Sequence, residues 1–316
     1  MFRNALVALF LLAIPVSALA QPFPGKTVRI IIPFPTGGSS DANARIISGP
    51  LNERWGQSVV VDPRPGGNTI IGTDFVAKSP PDGHTLLLTS TAHTVNPAQY
   101  SKLPYDTLTD LVPITIVSIS PQTIVAHPSL PVTSIKELIA LAKARPGQLN
   151  YGNADPSSLY TGNLFNLLAK VDIQGVPYKG AGPMMIDVIG GHVTLGIAAV
   201  SSVQAAVRSG RVRLLGVGST TPSPAFPDAP PIARDLPGFE SVAWFGLFAP
   251  RATPKEVISR IHRDVAEVLR LPEVKQRLSD LGAEPGGQSP EQFDARVRSE
   301  IATWIKVAKS AGIKPQ

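Results

Sequence analysis

Residues 28–41 read VRIIIPFPTGGSSD, and the rest of the fold can be built outward from this stretch. The run 28–32 is apolar and rich in β-branched residues apart from Arg29, which predicts a buried strand. Pro33 and Pro35 then end the strand, because proline cannot donate to a sheet ladder. Gly37 and Gly38 permit a tight turn, and the sequence SSD that follows is typical of a helix N-terminus before a helix at 42–47.

A strand, a glycine turn and a helix N-terminus direct several free N–H groups and the positive end of a helix dipole into one crevice. This arrangement suits an anion such as a carboxylate. The alternative is that the stretch is only a turn between a strand and a helix, and the motif alone does not separate the two. No lysine follows the glycines and no G-x-G-x-x-G is present, so a nucleotide phosphate is disfavoured.

The first 20 residues have the features of a signal peptide. Arg3 precedes an apolar core at 5–14 that is too short to span a bilayer, and Ala18-Leu19-Ala20 is a typical cleavage site. We therefore expect cleavage after Ala20 and export.

Composition excludes several classes of function. The chain has no cysteine, which excludes disulfides and thiol catalysis. Its net charge of +6 is spread along the sequence, so no nucleic-acid-binding patch is expected. The five histidines lack the spacing of metal ligands, and neither G-x-S-x-G nor H-E-x-x-H occurs. We expect no enzyme activity, no metal and no cofactor.

Strand-like and helix-like segments alternate along the chain, which predicts an α/β fold with parallel sheets. The segments 114–119 and 122–126 suggest one strand crossing into a second lobe, and 242–249 suggests the return. We predict lobe 1 at 21–119 plus 243–316, lobe 2 at 120–242, and a ligand cleft between them. The C-terminal helices, capped by Thr253 and Ser289, are expected to pack on lobe 1. Gly49-Pro50 is expected to kink or break the first helix.

Four residues allow a functional and a structural interpretation. His93 follows a strand end at the expected cleft, but a structural role is favoured. For Asp41 a helix cap is favoured over a catalytic carboxylate, and for Lys179 a solvated side chain in a turn is favoured over an anion contact. Trp244 is a core residue or a wall of the ligand site, with packing favoured.

The sequence resembles the Bug-type solute receptors of tripartite tricarboxylate transporters over essentially the whole mature chain. The matching segments are 28–41, 64–68, 80–87, 96–97, 103–106, 146–152, 176–180 and 245–250. The resemblance implies a two-lobed periplasmic-binding-protein fold that closes on a small carboxylated ligand. It also implies that backbone amides and hydroxyls of two loops, here 36–41 and 153–158, hold the carboxylate.

The chain departs from the family pattern at two places. The second loop reads NADPSSLY and carries Asp155, where the family is usually richer in glycine and serine. The family commonly has an aspartate where this chain reads IAAVS at 197–201. The missing aspartate argues against an amino-acid ligand. Asp155 either disfavours a highly charged tricarboxylate or recognises an amine, and the sequence leaves both open.

The primary hypothesis is a monomeric periplasmic receptor that captures an organic carboxylate by hinge closure and delivers it to membrane permease subunits. The alternative is a periplasmic sensor that presents its liganded form to a sensor kinase. The predicted ligand-binding residues are Phe34, Thr36, Gly37, Gly38, Ser39, Asp41, Thr91, Asn153, Ser157, Ser158, Tyr178 and Gly180.

Overall fold

The computed structural model describes residues 23–178 and 180–315, so the predicted signal peptide and Lys179 lie outside the described residues. The strands are β1 (Val28–Ile32), β2 (Val59–Pro63), β3 (Thr85–Ser90), β4 (Leu111–Ala126), β5 (Leu149–Asn153), β6 (Ile173–Pro177), β7 (Leu195–Ala199), β8 (Arg213–Val217), β9 (Val242–Pro250) and β10 (Glu284–Pro285). The helices are α1 (Ser39–Trp55), α2 (Ile70–Ala77), α3 (Ala92–Gln99), α4 (Ile135–Ala144), α5 (Pro156–Ala169), α6 (Ala181–Ile189), α7 (Val200–Arg208), α8 (Lys255–Val268), α9 (Pro272–Asp280) and α10 (Pro290–Ser310).

The first lobe is built on β1, which lies between β2 and β3 and is parallel to both. Its apolar residues are buried on both faces, as expected of a strand at the centre of a parallel sheet. The predicted parallel pairing holds among β1, β2 and β3, but β9 pairs antiparallel with both β3 and β4. The antiparallel order follows from the path of the chain, which leaves the first lobe on β4 and returns on β9.

Strand β4 connects the two lobes as a single strand of 16 residues, as the sequence suggested. Residues 111–121 pair with β9, whereas residues 122–126 pair with β7 and β8. In the second lobe β5 lies between β6 and β7, parallel to both. The change of partners occurs between Pro121 and Gln122, and it marks the point where the chain passes from one lobe to the other.

A kink or a break was predicted at Gly49-Pro50; helix α1 continues through it, so the break is wrong. Proline inside a helix removes one backbone hydrogen bond, and its ring crowds the carbonyl of the preceding turn. Ile47, Leu51 and Trp55 are buried on either side of it and hold the helix against the first core.

The C-terminal helices pack on the first lobe only in part. Helices α8 and α9 contribute to the core beneath β1, in agreement with the expectation. The first half of α10 packs Phe293 and Val297 against Trp244 of β9. Its last turns instead place Trp304 and Val307 in the core of the second lobe. Helix α10 therefore forms a third connection between the lobes, which the sequence analysis did not anticipate.

The helix caps were predicted correctly at one of the two C-terminal positions. Ser289 forms a capping box with Gln292 at the start of α10. The predicted Thr253 cap is wrong, because Pro254 occupies the N-cap of α8 and no side chain caps that helix. No helix in residues 23–178 and 180–315 is long and apolar enough to cross a membrane.

Candidate functional site

A cavity of about 340 Å³ lies between the lobes, against the two crossing strands. It is lined by the N-terminal part of α1, the C-terminal end of β3, one face of β4, the first residues of β9, and the starts of α5 and α7. The lining residues are Phe34, Ser39, Asn43, Asn68, Ser90, Thr91, Ala92, Ser118, Ser120, Gln122, Asp155, Pro156, Ser157, Ala199, Ser201, Ser202, Ala243, Trp244, Phe245, Leu281 and Ala283.

The N-terminus of α1 reaches this cavity without a side-chain cap. Gly38 is the N-cap, and the first intrahelical bond runs from Ala42 N to the Gly38 carbonyl. The N–H groups of the three preceding residues therefore have no carbonyl partner in the helix. These amides and the helix dipole together can bind an anion.

Asp41 braces the glycine turn and does not line the cavity. Its Oδ2 accepts a hydrogen bond from Gly37 N at 3.1 Å, and its Oδ1 accepts one from Arg45 Nε at 2.9 Å. These two bonds hold the pKa of the Asp41 carboxyl below its usual range, Arg45 having the larger effect. Gly37 lies at φ 82°, a left-handed conformation that favours glycine. Asp41 therefore shapes the turn that leaves Gly38 and Ser39 at the helix N-terminus.

The start of α5 is organised differently, because its own side chains use the local donors. Asp155 is the N-cap, and its Oδ1 accepts from Ser158 N at 2.8 Å. Ser158 Oγ accepts in turn from Ala154 N at 2.9 Å and Asp155 N at 3.0 Å. Pro156 has no N–H to offer. Ser158 is fully buried in this network, and only Asp155, Pro156 and Ser157 of the loop line the cavity.

The floor of the cavity is a row of polar side chains on β4. Ser118, Ser120 and Gln122 alternate along the strand and face the same side. Ser118 Oγ donates to Asn43 Oδ1 at 2.6 Å, and Asn43 Nδ2 donates to the Ser39 carbonyl at 2.8 Å. This chain of bonds ties the first turns of α1 to the crossing strand.

Gln122 lies where β4 changes partners. Its side chain is 2% exposed, and its Nε2 donates to Ser157 Oγ at 3.3 Å. The Oε1 atom is buried without a hydrogen-bond partner. A buried carbonyl oxygen without a partner costs free energy, so a donor from a ligand would stabilise it.

Aromatic side chains form one wall. Phe34 and Phe245 meet edge to face with ring centroids 6.3 Å apart. Trp244 is 1% exposed and packs edge-on against Phe293, with ring centroids 5.1 Å apart. Both interpretations of Trp244 therefore apply, because it is a core residue and also lines the cavity. Its Nε1 donates to both Glu300 oxygens at 3.1 Å, and burial raises the pKa of Glu300 above its usual value.

The predicted ligand-binding residues fall into two groups. Phe34, Ser39, Thr91 and Ser157 line the cavity. The other eight lie outside its lining: Thr36, Gly37, Gly38, Asp41, Asn153, Ser158, Tyr178 and Gly180.

Among the residues outside the lining, Tyr178 forms a hydrogen bond within the second lobe. Its hydroxyl donates to Asp187 Oδ2 at 2.7 Å. Burial and the Asp187 carboxylate raise the pKa of Tyr178 to about 12. Gly180 is the N-cap of α6 at φ 108°, a conformation that also favours glycine. Whether any of these residues contacts a ligand stays a prediction.

Sequence reasoning missed Asn43, Ser118 and Gln122. A signal for the latter two was present, since serine and glutamine at every second position of an apolar strand indicate one polar face. Asn43 follows Ser39 by one helical turn, which places both residues on the same side of α1.

His93 is structural rather than part of the site. It is fully buried between Tyr105 and Phe248, with ring centroids 6.3 Å and 4.7 Å away. Burial lowers the pKa of His93 to about 4, which keeps the ring neutral at physiological pH.

The cavity's electrostatics are unusual for an anion site. Asp155 is the only ionisable residue among the described residues that line it, and it remains exposed at the rim. No group of three or more histidine and acidic residues in the described part of the chain is placed to hold a metal. The positive potential available to a ligand anion therefore comes from backbone amides rather than from arginine or lysine.

The chain is similar to known receptor proteins along most of its length. Residues 43–313 match the family described as "Tripartite tricarboxylate transporter family receptor". BugT of Bordetella pertussis is 37% identical over 308 residues, which cover 96% of this chain and 94% of BugT.

Two solved structures are similar along almost the full chain. An R. palustris protein solved with adipate is 36% identical, with a TM-score of 0.76 and coverage of 93% of this chain and 100% of that one. MatC from Rhodopseudomonas palustris, solved with bound malate, is 31% identical, with a TM-score of 0.71 and coverage of 90% and 99%. The two-lobed periplasmic-binding-protein fold is thereby confirmed. The chain belongs to the Bug-type family of receptors of tripartite tricarboxylate transporters.

Proposed function

We propose that the protein is a periplasmic receptor that captures a small organic carboxylate and delivers it to the permease subunits of a tripartite transporter. The observation that carries the proposal is the uncapped N-terminus of α1 at a cavity shared by both lobes. The adipate and malate bound by related proteins are small carboxylates of the expected kind.

In this proposal the receptor binds its ligand without changing it chemically. The carboxylate accepts hydrogen bonds from the first amides of α1, next to Ser39. Asn43 and Ser118 hold that end of the helix in place through their bonds to Ser39 and to each other. The aromatic wall formed by Phe34 and Phe245 packs against the apolar part of the ligand.

Ligand binding favours a closed arrangement of the lobes because the ligand contacts both of them. We propose lobe boundaries at 21–119 plus 243–316 and at 120–242, with bending where β4 changes partners. Closure would carry the loops at 36–38 and 153–158 toward the ligand. We further propose that the mature protein is a monomer, exported after cleavage behind Ala20.

The proposal is tested by a thermal-shift screen of mature protein against monocarboxylates, dicarboxylates, tricarboxylates and aromatic acids. A ligand at about 100 times its Kd is expected to raise the unfolding midpoint by about 5 °C. Gly38→Asp is expected to weaken binding of that ligand about tenfold, because the new carboxylate caps the amides of α1 and repels the anion. Isothermal titration calorimetry measures the change.

Gly38→Ala is the matched control. Gly38 has φ −89°, and an added Cβ would meet only the Pro35 carbonyl oxygen at 3.8 Å, so neither substitution strains the backbone. Alanine adds the Cβ without a capping oxygen and should leave binding unchanged. If no carboxylate shifts the midpoint, or if both variants weaken binding equally, the proposed anion site is wrong.

A further inference from the structure

Several helices start at the cavity, and the N-termini of α1 and α5 differ in what they offer a ligand. Helix α1 has glycine as N-cap and no side-chain cap, so its first amides are free to bind an anion. Helix α5 has an aspartate as N-cap and a complete capping box. The two ends of the cavity therefore differ in polarity.

The start of α5 has few free N–H groups to offer an anion. Ala154 N and Asp155 N are taken by Ser158 Oγ, and Ser158 N is taken by Asp155 Oδ1. Pro156 has no N–H. Of the N–H groups of residues 154–158, Ser157 N is the one that these bonds leave over. A second carboxylate at the start of α5 would face the Ser157 amide and hydroxyl together with the negative charge of Asp155.

Gln122 provides a second, independent indication at the same end. Its amide contacts Ser157 Oγ at 3.3 Å, and its Oε1 is buried in the cavity lining without a hydrogen-bond partner. The side chain itself is 2% exposed, so bulk water does not satisfy that oxygen. An acceptor of this kind, bonded to the loop that carries Asp155, favours a ligand with a hydrogen-bond donor.

We propose that the ligand is a monocarboxylate whose far end carries a hydrogen-bond donor, a hydroxyl or an ammonium group, in place of a second carboxylate. This inference rests on the proposed function and specifies its substrate class. The carboxylate lies at α1, and the donor end faces Asp155 and Gln122. The absence of arginine, lysine and histidine among the described lining residues agrees with a ligand that brings one negative charge at most.

Compounds of equal length that differ only at one end test the proposal. Hexanoate, ω-hydroxyhexanoate, ω-aminohexanoate and adipate are titrated calorimetrically into the mature protein, and the series is repeated with chains from four to eight carbons. At the preferred length, one of the two donor-bearing acids is expected to bind about tenfold more tightly than the dicarboxylate.

The variant Asp155→Asn tests whether Asp155 causes the preference for donor-bearing acids over dicarboxylates. Asparagine caps helices as well as aspartate does, so α5 should keep its start. The variant is expected to bind dicarboxylates about tenfold more tightly than the parent protein and ω-amino acids more weakly, with ω-hydroxy acids less affected. Asp294→Asn on α10 changes the net charge equally but faces Arg298 outside the cavity, and should change none of these affinities.

Each outcome decides between the two proposals. A dicarboxylate that binds as tightly as the donor-bearing acids in the parent protein overturns this inference and leaves the carboxylate receptor standing. An unchanged preference in Asp155→Asn also overturns it. Failure of every carboxylate to bind, at every length, removes the proposed function together with the inference.

Discussion

Replacing Trp304 by alanine is expected to lower the free energy of unfolding by about 3–5 kcal/mol, the range found for truncating a buried tryptophan. The side chain is 4% exposed and meets Tyr160 of α5 edge to face, with ring centroids 5.8 Å apart. Its Nε1 donates to Thr94 Oγ1 of α3 at 3.3 Å. Truncation would remove the apolar contact and leave a cavity where α10 meets the second lobe.

Urea unfolding followed by circular dichroism and by fluorescence measures this loss, and two probes show whether the lobes still unfold together. Ile305→Ala is the control, since the next side chain on α10 is 48% exposed and should cost less than about 0.5 kcal/mol. Equal losses in the two variants would contradict the role of α10 as a connection between the lobes. A second transition in Trp304→Ala alone would support that role.

Replacing Asp264 by asparagine is expected to lower the free energy of unfolding by about 2–3 kcal/mol at neutral pH. Asp264 is 1% exposed, and its carboxylate accepts from Arg54 Nε at 3.1 Å, Trp55 Nε1 at 2.7 Å and Arg260 Nε at 2.5 Å. These bonds tie α8 to the end of α1. The expected loss is below the ~3–5 kcal/mol of a fully buried pair, because the arginines reach solvent and can be hydrated when the carboxylate is gone.

The loss of stability in Asp264→Asn is expected to become smaller as the pH falls. Burial by itself would raise the pKa of Asp264, but hydrogen bonds from Arg260, Trp55 and Arg54 outweigh it and hold that pKa below its usual value. A carboxyl with a lowered pKa stabilises the folded state above its unfolded pKa of about 3.9, and the stabilisation disappears as the pH falls through the folded value. The difference between parent and variant is therefore largest at neutral pH and narrows below about pH 4.

Glu267→Gln is the matched control on the same helix. Glu267 pairs with Arg54 but its side chain is 41% exposed, and exposed pairs contribute less than about 1 kcal/mol. Chemical denaturation at several pH values compares the three proteins. A loss in Asp264→Asn that stays constant down to acidic pH would contradict the assignment of the effect to the carboxylate's charge.

The local sequence was sufficient to predict most elements of the fold. The apolar run of β1, the glycine turn after it and the cap at Ser289 depend on neighbouring residues alone, and the structure confirms them. Alternation of strands and helices predicted the α/β class, and two apolar crossing segments predicted β4 and β9. The match of ordered segments to the Bug-type family is confirmed by the comparisons.

The tertiary structure decided what depends on residues far apart in the chain. Helix α1 continues through Pro50 because its buried residues pack in a core that includes α8. Helix α10 contacts both lobes because its first half packs in one hydrophobic core and its last turns in another. The polarity of the candidate site also arises this way. Asp155 and Ser158 close the start of α5 within one loop, but only the fold brings that loop to Gln122 and opposite the uncapped amides of α1. The hydrogen bond from Gln122 to Ser157 depends on how close the two side chains lie in the folded chain, and the order of residues does not specify that distance.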